Sequence, residues 1–157
     1  DDAFRAILHD GRRMPDPSYL VTVPSLHEPA VAPADRHTIY VLEPVPNLGG
    51  RVDWTVERDQ ARDDLAAAIA GFGYDVDVEV EALSDPLDWE AAGMERGTPF
   101  ALSHRFLQTG PFRPGNLERR APGLVFCGSG TVPGVGVPMV LVSGMLAAQR
   151  IEAMGPR

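Results

Sequence analysis

The chain of 157 residues carries 22 acidic residues against 14 basic ones, every one of them arginine, and a formal net charge of −8. Nucleic acid is excluded as a partner for want of a basic face, and lysine-dependent chemistry (Schiff base, P-loop lysine, lysine general base) is excluded for want of a lysine. A content of 44% hydrophobic and 23% charged residues is that of one ordinary globular domain, and the single cysteine rules out an internal disulfide framework.

The chain opens on "DDAFRAILHDG", with neither an initiator Met nor a signal-peptide pattern, and reads as cut from a longer protein. Residues 1–9 predict the end of a helix, with Gly11 as its stop signal. Residues 17–25 and 37–46 are rich in β-branched and aromatic residues and predict strands. The intervening Pro24, Pro29 and Pro33 force an irregular link. Residues 58–73 predict the clearest helix, with Ala61, Leu65, Ala68, Ile69 and Phe72 on one face and Gly71 and Gly73 ending it. The strictest alternation lies in residues 74–83, where Tyr74, Val76, Val78, Val80 and Ala82 oppose Asp75, Asp77, Glu79 and Glu81. It predicts a strand whose acidic face is solvated.

Ser84, Asp85 and Asp88 supply turn and capping chemistry. Residues 95–122 mix short apolar runs with Gly and Pro and predict loops around a ligand or partner. A strand over 124–127, a glycine-rich turn and a helix over 138–153 close the chain. Cys127 lies in the apolar run and is expected to be buried and inert. The four histidines show no metal-ligand spacing, so no metal site is expected.

The turn, "GSGTVPGVGVP", fails three known patterns. A P-loop needs a lysine. The dinucleotide fingerprint G-x-G-x-x-G meets Pro133 at its sixth position, with Gly134 one residue late. The nucleophile elbow G-x-S-x-G fits neither Ser129 nor Ser143. What remains is local physics. Glycines let backbone N–H groups approach a ligand, Pro138 suits the first turn of a helix, and the positive helix end favours an anion or carbonyl oxygen. By themselves the residues leave two readings, a nucleotide or flavin contact and a tight structural turn.

The segment "GSGTVPGVGVPMVLVSGMLAAQRI" resembles the flavin-contacting end of the phytoene desaturase family, the bacterial carotenoid desaturases. Gly128, Gly130, Thr131, Pro133, Gly134, Gly136, Val137 and Pro138 carry the likeness. Residues 16–48, running through a Pro-Ser element to a strand ending Pro-Val-Pro, and residues 97–116, "GTPFALSHRFLQTGPFRPGN", resemble two further blocks in the same order. The resemblance implies a C-terminal fragment of an FAD-dependent oxidoreductase, of α+β (α/β-like) class. Residues 1–120 would be the later part of a mixed-sheet substrate domain. Residues 121–157 would supply the last strand and helix of a Rossmann-like FAD domain, whose N-terminal half of the site is missing.

It further implies FAD contacts at Gly128, Ser129, Gly130, Thr131, Gly136, Val137, Pro138 and Met139. These are backbone contacts, since the turn has no carboxylate, aided by the Ser129 or Thr131 hydroxyl. The Met139 N–H would support negative charge on the flavin ring. The implied substrate is an apolar polyene or isoprenoid, and the catalytic candidates are Glu43, His104 and Arg113, the last as a gate or ion-pair anchor. The parent is expected in the cytoplasm with peripheral membrane contact, and the fragment alone is expected to be inactive and to self-associate. Flavin-dependent isomerases and saturases share the motifs. A non-catalytic isoprenoid-binding or interaction module is the alternative of a different class.

Overall fold

The computed structural model describes residues 2–74, 77–103 and 106–155. Its mixed helices and two-stranded antiparallel sheet agree with an α+β class. Two compact units divide the chain, Asp1–Gly97 and Thr98–Arg157.

In the first unit, α1 (Asp2–Arg5) continues as a π-helical turn over Ala6–Asp10 and stops at Gly11, as its glycine signals. The two apolar runs condense into short strands, β1 (Leu20–Thr22) and β2 (Tyr40–Leu42), paired antiparallel with Val21 opposite Val41. Prolines at 24 and 29 start 3₁₀ turns between them. Ser25 is buried in this link, its hydroxyl 3.1 Å from His37 Nδ1 and accepting from the Thr38 N–H at 3.2 Å. Helix α2 (Trp54–Gly71) begins four residues before the apolar periodicity does, because the Asp53 carboxylate accepts from the Thr55 N–H and caps it. Helix α3 (Pro86–Ala91) starts with a capping box between Asp85 and Asp88 and with Pro86 at its first position. Arg58 on α2 ties the two helices by donating to both carboxylates and to the Leu83 carbonyl. Ala6, Met14 and Trp54, with Pro46 and Pro86, are the buried apolar side chains of this unit among the described residues.

The alternating segment corrects the strand expectation. Asp75 and Val76 lie outside the described residues, and residues 77–83 form no strand. Strands exist only as pairs, since each needs a neighbour for its backbone N–H and C=O groups; no strand pairs with residues 77–83 among the described residues, and Val80 is 89% exposed. The described members of the acidic row, Asp77, Glu79 and Glu81, are exposed as expected, with Glu79 paired to Arg36 and Glu81 to Arg62.

Asp64 and Asp88 make the first unit acid-sensitive. Hydrogen bonds from Gln60 and then Arg13 hold Asp64 below its ordinary value of 3.8. Donation from Arg58, and then from the Asp85 N–H, lowers Asp88 likewise. A carboxyl lowered on folding stabilises the native state above its unfolded pKa, and that contribution drains away as pH falls through the folded value. Stability is therefore expected to be level with respect to these groups above about pH 5 and to fall below 3.8, which urea titrations across that range would check. Equal midpoints at pH 5 and pH 3 would contradict it.

In the second unit, 3₁₀ turns at Phe106–Gln108 and Gly110–Phe112 lead to a bridge between Leu117 and Val125. That single bridge stands where a strand over 124–127 is expected. The glycine turn follows, and then α4 (Val137–Ala153), which agrees with the expected helix to one residue. Cys127 is exposed, against expectation, because this stretch has one bridge and no covering layer in its unit. No helix among the described residues is long and apolar enough to cross a membrane.

Candidate functional site

The glycine turn is shaped from within by three buried polar side chains. Ser143 on α4 is fully buried, and its hydroxyl accepts from the Gly128 N–H at 3.1 Å. It lies 2.7 Å from the Thr131 hydroxyl, which reaches the Gly128 carbonyl at 3.2 Å. Asn116, 1% exposed, donates through Nδ2 to the Phe126 carbonyl at 2.9 Å and sits 3.3 Å from Ser143 Oγ. Its own backbone carbonyl accepts from the Phe126 N–H at 2.7 Å. Strand end, turn and helix are thus pinned at one point. A buried polar cluster of this kind specifies a single arrangement when its members satisfy one another. Within this cluster, Asn116 Oδ1 has no hydrogen-bond partner among the described residues.

Around this knot the main chain opens outward. Gly128 and Gly136 both have φ of 107°, a conformation L-residues rarely adopt, and a Cβ at either would meet nothing within 4 Å. At Gly136 the backbone, with ψ 148°, serves as the N-cap of α4 without any side-chain cap. Pro138 occupies the first turn, where its missing N–H costs nothing. The Val137 and Met139 N–H groups precede the first intrahelical bond, from the Val140 N–H to the Gly136 carbonyl. Those of Ser129 and Gly130 also lack a partner among the described residues. An open space lined by free amides at the positive end of a 17-residue helix suits an anion or a polarised carbonyl.

Of the residues implied to touch the cofactor, Gly128, Ser129, Gly130, Gly136, Val137, Pro138 and Met139 line this turn and helix start. The Thr131 hydroxyl is committed to the internal knot, and that residue is buried. Arg113 is buried too, and donates to four backbone carbonyls: Nε to Thr131 at 3.2 Å, Nη1 to Gln108 at 3.0 Å, and Nη2 to Leu102 at 3.1 Å and to Ser129. No carboxylate pairs with it among the described residues.

Glu43 belongs to the first unit. Both of its oxygens are held by Arg13, at 3.3 and 3.2 Å, and its side chain is 4% exposed. The same guanidinium reaches Asp64 at 2.8 Å. His104 lies outside the described residues. The sequence reading weighed Ser143 as a nucleophile and gave Asn116 no role of its own. The available signal was a polar side chain inside the otherwise apolar run of α4, which requires a buried partner.

The glycine turn is thus pinned from inside, and several amides at the turn and helix start are without a hydrogen-bond partner among the described residues. The chain belongs to the flavin-containing amine oxidoreductase family, whose model matches residues 55–152. It is 45% identical to a phytoene dehydrogenase of Streptomyces griseus, over 99% of this chain and 32% of that protein. It is 40% identical to a zeta-carotene-forming phytoene desaturase of Myxococcus xanthus, over 87% of this chain and 27% of the relative. With a neurosporene-forming phytoene desaturase of Rhodobacter capsulatus it shares 37%, over 90% and 28%. The chain therefore spans a third or less of these curated relatives. No solved structure matches it. The expected FAD agrees with the flavin of the family, and an oxidoreductase is what the family and its members are.

Proposed function

We propose that this chain is the C-terminal portion of an FAD-dependent oxidoreductase that desaturates an apolar carotenoid or related isoprenoid. The observation that carries the reading is the set of amides at Ser129, Gly130, Val137 and Met139 that lack a hydrogen-bond partner among the described residues, in a chain whose relatives are named for phytoene and carotene. The donor set fits a flavin: neutral N–H groups and a positive helix end, with no carboxylate on the turn to repel a phosphate or a reduced ring. When bound, FAD supplies the acceptance of two electrons from an unactivated C–C bond, which no side chain here can provide.

The protein's own part is positioning and electrostatics. The Met139 and Val137 amides support negative charge at the ring edge, and the Gly130 and Ser129 amides hold a polar oxygen of the cofactor. In this reading residues 1–120 belong to the substrate domain and residues 121–157 return to the FAD domain. The connecting residues 98–120 pack on the turn through Arg113 and Asn116. Glu43 and His104 remain the side chains to test for substrate orientation. The apolar polyene resides in lipid, so the reading includes peripheral membrane contact of a cytoplasmic enzyme.

The full-length protein should copurify with FAD and be yellow. The 157-residue segment alone should show no micromolar flavin affinity, because it offers one wall of the site. It should also self-associate, since Leu141, Met145 and Ile151 of α4 are exposed. A full-length protein that stays colourless and cannot be reconstituted with FAD would remove the proposal.

A further inference from the structure

Arg113 has a second consequence for the turn. Its side chain is 3% exposed, and its donors divide between two segments, Leu102 and Gln108 on one side and Ser129 and Thr131 on the other. In a planar trans peptide the C=O and the following N–H point in opposite directions. The Ser129 carbonyl faces the guanidinium, so the Gly130 N–H faces away from it. The Thr131 carbonyl faces it too, and there the outward Val132 N–H is already taken by the Pro114 carbonyl at 2.9 Å. That leaves the Gly130 amide as the donor that Arg113 aims. A cation donating to one end of a peptide also polarises it and strengthens the N–H at the other end. The charge itself has no carboxylate partner among the described residues, so its field is not cancelled by one.

Resting on the flavin reading above, we propose that Arg113 is a positioning residue for the cofactor. It turns the Gly130 amide toward the flavin and sets a fixed positive charge behind that amide, which favours the reduced, negatively charged form. The two effects separate by substitution. Arg113→Gln removes the charge. Arg113→Lys keeps the charge and loses the fork that reaches four carbonyls.

The test uses the full-length protein, with FAD affinity by titration and the flavin midpoint potential as readouts, and with far-UV circular dichroism to confirm folding. Arg113→Gln is expected to weaken FAD binding at least tenfold and to make the potential more negative. Arg113→Lys is expected to keep the wild-type potential while losing part of the affinity. A folded Arg113→Gln with affinity within twofold of wild type and an unchanged potential would overturn the proposal. So would an Arg113→Lys whose potential differs from wild type, and that comparison decides the matter if the glutamine variant does not fold. Failure of the flavin reading shows separately, as a wild-type protein that binds no FAD.

Discussion

Replacing Glu43 by alanine is expected to destabilise the protein by about 1–3 kcal/mol, the cost of removing the acceptor of two charge-assisted hydrogen bonds from a part-buried arginine. Arg13 is 15% exposed and Glu43 4%. Without the carboxylate, the guanidinium keeps one contact, to the half-exposed Asp64. The companion result distinguishes this from loss of any good contact. Removing both charges together, as Arg13→Met with Glu43→Leu, should recover most of the loss, because a buried pair is often worth little against well-packed apolar groups. Urea unfolding of the single and double variants measures both numbers. A Glu43→Ala midpoint equal to wild type would refute the structural role. If Glu43→Gln lost activity at unchanged stability, a catalytic role would take its place.

The second large effect is expected at Gly136. Its φ of 107° and ψ of 148° fall close to a region open almost solely to glycine. A Cβ there would meet nothing within 4 Å, so no clash complicates the substitution. Gly136→Ala should therefore act through backbone strain alone, about 1–3 kcal/mol, or roughly 5- to 150-fold in an equilibrium. The strain sits at the N-cap of α4, so the turn relaxes and the Val137 and Met139 amides that follow it shift. FAD affinity of the full-length protein should drop by a factor in that range. Gly144→Ala is the control: it lies in the interior of α4, its Cβ also meets nothing within 4 Å, and the change should be neutral or stabilise the helix by up to about 1 kcal/mol. Equal flavin affinity in the two variants would show that the special geometry at Gly136 plays no part.

The buried arginine and the knot around Ser143 also bear on how the turn is inherited. Motif glycines leave the backbone free to take an unusual path, but they do not select one. In this chain the selection comes from side chains 12 to 15 residues away, through Ser143 to Thr131 and Gly128 and through Asn116 to Thr131. An account of the site restricted to its glycines describes permission without choice.

Much was legible in the sequence because it depends on neighbours along the chain. The stop at Gly11, the capping box at Asp85, the proline-led start of α4 and its extent to Ala153 all follow from local hydrogen bonding and φ restrictions. The glycine turn and its flanking blocks likewise pointed to a flavoprotein family, through their resemblance to that family's motifs. What the tertiary structure decided depends on groups distant in sequence. The alternation of residues 74–83 states which side chains would share a face, but a strand also needs a partner's backbone, and none pairs with residues 77–83 among the described residues. Cys127 sits in an apolar run yet is exposed, because burial belongs to the layers packed on a segment and not to the segment. Glu43 and Arg113 read as catalytic candidates from their local words. Only folding shows one tied to Arg13 and the other enclosed by four carbonyls, since a charge is buried only where the fold brings groups to satisfy it.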